Sequence, residues 1–273
     1  MSKSIFITGS STGLGRATAL LFAEKGWRVF ATMRTPDKET ELASRPGITL
    51  LALDVTNPDQ IATASRDAIA AAGPAGIDVL FNNAGYGLAG PLEGTSDAQL
   101  TRQIDTNLLG VLRTTQAFLP HFRERRGGTI ITTTSIGGLV AFPFNSVYHA
   151  TKWALEGWSE SLAFEMSAFN VLVKTVSPGG IRTDFAGRSL DFAQHEAYAA
   201  DVASTMKAFS DPARRSMGSS AEQIAEVVYE AATDGKDQVR YTAGGDAKAA
   251  YAQRLAVGDE TFRRGISQQF LGR

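Results

Sequence analysis

The side chains with most chemistry to offer in this 273-residue sequence are Tyr148 and Lys152, four positions apart. The spacing of apolar residues predicts a helix over 147–169, which places an i, i+4 pair on one face. A phenol titrates near ~10 and is a poor acid or base at neutral pH. An ammonium beside it favours the phenolate and lowers that value, the direction acid–base catalysis requires. Ser135 ends a strand-like run thirteen residues earlier and brings a hydroxyl that can polarise a carbonyl beside the tyrosine. Asn107 interrupts an apolar helical stripe with an amide, where propensity disfavours one. A satisfied core amide and a functional one are both open readings. His149 adjoins the tyrosine but falls on another helix face, and is read as packing or solvent-facing rather than catalytic.

A second feature would hold what this group acts with. Thr8-Gly9-Ser10-Ser11-Thr12-Gly13-Leu14-Gly15 lies between the apolar run Ile5–Ile7 and a helical stripe at Leu14, Ala17, Thr18, Leu21 and Phe22. Glycines between strand and helix permit a tight turn and close approach of backbone to a pyrophosphate, and the helix start offers unpaired N–H groups. The spacing TGxxxGxG differs from the usual GxGxxG. The acid that binds a ribose 2′-hydroxyl should fall ~20 residues further on. Here that stretch reads Ala31-Thr32-Met33-Arg34, with no carboxylate. Arg34 could instead make charge-assisted bonds to a 2′-phosphate, with Ser11 as a second donor. That predicts NADP(H) as the preferred cofactor. A plain surface arginine is the competing reading, and use of NAD(H) stays open.

Positioning these groups requires alternating strands and helices. Strands are expected at 5–7, 27–33, 48–53, 78–81, 128–134, 171–177 and 239–242, and helices from Leu14 to Gly26, from Pro58 to Ala72, along Leu100–Leu119, over 147–169 and near 221–232. Such alternation means a doubly wound α/β fold of Rossmann type, a seven-stranded parallel sheet with helices on both faces, in a single domain. Residues 184–217 are expected to be an irregular, aromatic-bearing lid over the substrate, and 237–273 a C-terminal extension.

The composition agrees: 43% hydrophobic and 20% charged residues, net charge -1 and no cysteine. No like-charged block points to nucleic acid, no apolar run reaches the ~18–20 residues of a membrane span, and no leader is expected. The absence of cysteine suits a cytoplasmic location. Three scattered histidines outside any ligand spacing argue against a metal site.

In order and spacing, Thr8–Gly15, Asn82-Asn83-Ala84-Gly85, Asn107, Ser135, Tyr148-x-x-x-Lys152 and Pro178-Gly179 resemble the short-chain dehydrogenase/reductase family. The run 143–148, with Ala154-Leu155-Glu156-Gly157 and Ser159–Leu162, is similar to its 17β-hydroxysteroid and retinol dehydrogenase-like branch. The resemblance implies that Tyr148 exchanges a proton with the reacting oxygen and that Ser135 hydrogen-bonds that oxygen. It implies that Lys152 tunes the tyrosine and holds the nicotinamide ribose, and that Asn107 supports a relaying water. It assigns cofactor contacts to Asp54, Val55, Asn83, Ala84, Gly85, Pro178, Gly179, Ile181 and Thr183, in addition to Gly9, Gly13, Leu14 and Gly15 of the loop. Pairing through the 147–169 helix, as a homodimer or homotetramer, is implied as well, and Trp153, Gly157, Ser161 and Phe164 form a second stripe suited to it.

Aromatic residues before Tyr148 and after Thr183 (Phe142, Phe144, Phe185, Phe192, Tyr198 and Phe209) suggest an apolar pocket. Its walls are expected at Ser135, Ile136, Phe142, Pro143 and Phe185. The expected activity is therefore NADP(H)-dependent reduction of a hydrophobic ketone, or oxidation of the matching secondary alcohol. An acyl-carrier-protein-type 3-ketoacyl reductase and a non-enzymatic NADP(H) sensor are the alternatives.

Overall fold

The computed structural model describes residues 2–182 and 189–273. Seven strands form one parallel sheet: β1 (Ser4–Ile7), β2 (Arg28–Met33), β3 (Ile48–Ala52), β4 (Val79–Asn82), β6 (Gly128–Thr133), β7 (Val171–Pro178) and β9 (Arg240–Ala243). Their order is β3-β2-β1-β4-β6-β7-β9. Consecutive apolar residues in each strand supply both faces, because successive side chains alternate. Ile5 and Ile7 join one buried cluster with Val29, Ala31, Val79 and Phe81. Phe6, Phe30 and Leu80 join the other.

Helix α1 (Gly13–Glu24) and α8 (Ala221–Thr233) cover the first face, where the Phe22 ring meets those of Trp27 and Tyr229 at 5.0 and 5.2 Å. On the second face lie α2 (Pro58–Ala72), α4 (Gly110–Arg125) and α5 (Ser146–Ser167). The side chain of Asn57 caps α2 by accepting from the amides of Asp59 and Gln60, with Pro58 in the first turn. The sheet order turns back on either side of β1, so the crevice at the carboxyl ends of β1 and β4 is where a dinucleotide belongs in such a sheet.

Two stretches differ from expectation. The helix expected along Leu100–Leu119 runs from Asp97 to Arg125, but α3 (Asp97–Ile104) and α4 are joined by a π-turn, Asp105–Leu109, centred on Asn107. Such insertions re-aim side chains without ending the helix. Within the stretch expected to be irregular, residues 189–217 carry regular elements. β8 (Leu190–Phe192) pairs in parallel with β5 (Gly87–Ala89) as a two-stranded sheet, and α6 (Ala199–Ser210) and α7 (Pro212–Ser216) follow. The expected Thr183 and Phe185 contacts lie outside the described residues. The C-terminal extension is β9 followed by α9 (Gly245–Val257) and α10 (Asp259–Leu271).

Candidate active site

The glycine loop is closed by backbone packed on backbone. A Cβ on Gly9 would lie 2.8 Å from Ala84 Cα, and one on Gly15 would lie 2.2 Å from the Gly9 carbonyl oxygen and 2.6 Å from Asn83 Nδ2. Gly9 and Gly13 have φ of 71° and 55°, a region other residues rarely enter. Thr8 Oγ1 accepts from the amides of Asn83 and Ala84, while Asn83 Nδ2 donates to the carbonyls of Thr8 and Gly9, all within 3.1 Å. The loop after β1 and the loop after β4 are thus one unit. Above it the start of α1 presents free amides flanked by exposed Ser11 and Thr12. A pyrophosphate fits the donor set of this cradle: the glycines let the two loops close on each other, and the free amides at the start of α1 are what an anion would meet.

At the rim, Arg34 is exposed just beyond β2. Arg16, which the sequence reading passed over, donates to the Ser11 carbonyl and pairs with Glu39 at 2.7 Å and with Glu41. Its guanidinium holds both carboxyls below their ordinary range. Asp54, beyond β3, accepts from the amide and hydroxyl of Thr56. Val55 is buried against Gly110 at the start of α4. Pro178 ends β7, the Gly179 amide donates to the Ala243 carbonyl, and Ile181 bridges to Ser219.

The expected acid–base residues converge on the carboxyl end of β6. Lys152 is buried on α5 and donates to the Thr133 carbonyl at 2.9 Å. The Thr133 hydroxyl lies 3.4 Å from Asn83 Oδ1, so a short chain of contacts links lysine and cradle. Tyr148 is half-buried one turn before Lys152, whose ammonium stands 5.9 Å from the centre of the phenol ring. The electrostatics differ from the expected lowering. Burial pushes the phenol up, and the group pulling it back is Ser135 by a hydrogen bond, not Lys152. The reason is geometric: the ammonium is turned onto the Thr133 carbonyl, and burial lowers its own pKa to about 8 against the charge of Glu156, which raises it.

Asn107 is buried, and both its amide atoms are engaged. Oδ1 accepts from the Tyr86 amide at 3.0 Å and Nδ2 donates to the Tyr86 carbonyl at 2.8 Å. It therefore grips the chain that follows Asn83-Ala84-Gly85, and its Nδ2 also reaches the hydroxyl of Thr151 on α5 at 3.5 Å.

Glu156 is the polar residue the sequence reading used only for its resemblance. It lies one turn beyond Lys152, which is the signal that could have marked it. Its buried carboxylate accepts from Thr134, Ser177, Thr175 and Arg240, tying α5 to β7, β9 and the residue just after β6. Of the expected pocket walls, Ile136 opens the turn after Ser135 and Pro143 accepts from Asn145 Nδ2. The Phe142 ring is packed against Phe209 of α6 and Phe270 of α10, both at 5.7 Å. Phe144 has a φ of 57°, a left-handed conformation uncommon for a bulky residue, and its carbonyl accepts from Gly90. On the opposite side of α5, Phe164 is 81% and Trp153 42% exposed, the latter under the Arg254 guanidinium.

Among the described residues, no group of three or more His, Asp or Glu could hold a metal ion, and no helix is long and apolar enough to cross a membrane. Comparison with known proteins agrees with the geometry. Retinol dehydrogenase 8 of Bos taurus is 34% identical over 83% of the chain and 76% of its own length. A short-chain dehydrogenase structure from Streptomyces avermitilis superposes with a TM-score of 0.85 at 31% identity, covering 98% of this chain and 96% of that one. A Burkholderia cenocepacia short chain dehydrogenase in complex with NADP gives 0.75 at 25%, covering 99% and 98%. The profile of a family described as short chain dehydrogenase matches residues 3–193. With that match over a cradle and acid–base group of this form, the chain belongs to the short-chain dehydrogenase family and is an NAD(P)-dependent oxidoreductase.

Proposed function

We propose that the enzyme is an NADP(H)-dependent carbonyl reductase that also oxidises the matching secondary alcohols, with a hydrophobic substrate. The observation that carries this reading is the convergence of Ser135, Tyr148 and Lys152 beside the glycine cradle, through Lys152–Thr133–Asn83. The nicotinamide, when bound, supplies or accepts the hydride. Everything else falls to the chain. Gly9, Ser11, Thr12, Gly13, Leu14 and Gly15 would seat the pyrophosphate, and Arg34 with Ser11 would hold a 2′-phosphate. Asp54 and Val55 would border the adenine, Asn83–Gly85 would back the cleft, and Pro178, Gly179, Ile181 and Thr183 would border the nicotinamide.

Ser135 would donate to the substrate oxygen while Tyr148 delivers its proton there. The raised phenol suits that role in reduction, since it stays protonated at neutral pH until the oxygen needs it. Lys152 would hold the ribose hydroxyls and return a proton to the phenol, and Asn107 would support that path. Ile136, Phe142, Pro143 and Phe185 would border the substrate beneath a lid formed by residues 184–217. The retinol dehydrogenase relative and the aromatic residues around α6 support an apolar substrate. The bound NADP of the Burkholderia structure supports the cofactor. We place the enzyme in the cytoplasm, as a homodimer or homotetramer paired along α5.

The test is turnover of ketones, secondary alcohols and acyl thioesters with NADPH and NADH, for the parent and Tyr148→Phe. Loss of the general acid should cost about 10²–10⁴-fold in rate. Undiminished turnover by Tyr148→Phe would end this reading, and preference for acyl thioesters would favour the acyl-carrier alternative. Cofactor binding without turnover on any substrate would favour a sensor.

A further inference from the structure

His149 is buried, and both of its ring nitrogens are engaged by backbone. Nε2 lies 3.0 Å from the Phe142 amide and Nδ1 lies 2.5 Å from the Gly137 carbonyl. An amide can only donate and a carbonyl can only accept, so Nε2 must carry a lone pair and Nδ1 the proton. The imidazole is thereby fixed as the neutral Nδ1–H tautomer.

What it holds is the turn after β6. The Gly137 amide, whose carbonyl His149 grips, donates to Ser135 Oγ at 3.0 Å. That bond occupies a lone pair of the serine oxygen and leaves its hydrogen free for the Tyr148 side, where Ser135 is the group that draws the phenol down. The fit is close. A Cβ on Gly137 would lie 2.8 Å from both Cε1 and Nδ1 of His149 and 3.3 Å from the Tyr148 ring. On its other side the imidazole holds Phe142, whose ring meets those of Phe209 and Phe270.

We propose that His149 is a positioning residue for the reaction, whose neutral imidazole aims Ser135 at Tyr148 and ties that turn to the two helices behind Phe142. This rests on the reading of Ser135 and Tyr148 as the groups that meet the substrate oxygen. A second proton on the imidazole would set an N–H against the Phe142 N–H, so protonation and the Phe142 bond exclude each other. Burial lowers the histidine's affinity for that proton, and no charged side chain contributes to the lowering. The titratable and charged groups around it are the Tyr148 phenol, 6.0 Å between ring centres, Lys152 one turn along α5, and Arg254 of α9, which donates to the Leu139 carbonyl at 2.7 Å.

The first arm of the test needs neither substrate nor cofactor. Nitrogen NMR of histidine-labelled enzyme should show His149 as the Nδ1–H tautomer, unprotonated at pH values where a free histidine takes its proton. An Nε2–H tautomer, or ordinary titration, overturns the proposal. In the second arm His149→Phe keeps the ring but loses both bonds, and His149→Asn restores a donor near the Gly137 carbonyl. We expect kcat of His149→Phe to fall about 10- to 100-fold, the scale of a small misplacement in an active site, with NADPH affinity unchanged. His149→Asn should recover most of it. Parent-like kcat in His149→Phe, or equal losses in both variants, overturns the proposal. Tyr148→Phe measured alongside separates the two failures: if it turns over like the parent, the acid–base reading is lost while the tautomer result stands.

Discussion

At the scale of single residues, Lys152 sets a pH limit. Its pKa stands at about 8 rather than 10.5, so its charge is present below that pH and lost as pH rises through it. If the charged lysine serves the tyrosine and ribose, kcat/KM for ketone reduction should fall above pH ~8, and a profile flat to pH ~10 would refute that assignment. Arg34 allows a cleaner measurement, because it stands clear of the acid–base group. Replacing it by alanine should weaken NADPH by about 2 kcal/mol, roughly thirtyfold, and leave NADH unchanged, as read by cofactor titration. The placing of Tyr148 one turn before Lys152 was legible because it depends only on spacing along one helix. The direction in which Lys152 turns was not, since the carbonyl it meets belongs to another element. His149 and Glu156 were underread for the same reason: their partners lie on β7, β9 and the segment after β6.

At the scale of elements, the strands could be read from sequence because burial on both faces demands unbroken apolar runs. The π-turn could not. Leu100, Ile104, Leu108 and Val111 keep helical spacing to the eye, and the shift is forced by Asn107 gripping Tyr86. Nor could any local pattern foretell that Phe142 would find Phe270, which comes from the last helix. Helix α2 offers a control for stability without chemistry. Asn57→Ala removes the acceptor for two amides and should cost about 1 kcal/mol in urea unfolding with turnover unchanged. Acid sensitivity follows from His121 and His149, both held below the ordinary histidine value by burial. As pH falls below about 6.5 the unfolded chain takes up these protons before the native one does. Unfolding free energy should therefore decline on the acid side from that point, and a melting temperature unchanged from pH 7 to 5 would contradict it.

At the scale of the whole molecule, a buried ion pair beside the Glu156–Arg240 contact helps fasten the sheet's last strand. Lys174 of β7 meets Asp234 at 2.6 Å, and Tyr241 of β9 donates to the same carboxylate at 2.6 Å. Burial alone would raise the Asp234 carboxyl, but the bonds from Lys174 and Tyr241 outweigh it and hold the group at about 2. Removing the partner of a buried charge costs about 3–5 kcal/mol, so Asp234→Ala should lower stability by that order, measured by denaturant unfolding. The exposed stripe on α5 makes a prediction of another kind: light scattering should give a multiple of the 29.1 kDa chain, and Phe164→Asp should shift it toward one chain.

The cradle at Gly9, Gly15 and Ala84 has a consequence for how such an enzyme diversifies. Main chain touches main chain there, so selection finds no variant to act on without ruining the seat. Inheritance is free only at the margins: positions 11, 16, 34, 39 and 41 around one end, and the aromatic side chains drawn from distant segments around the other. Anyone redesigning coenzyme choice or substrate range should mutate those margins and leave the glycines alone.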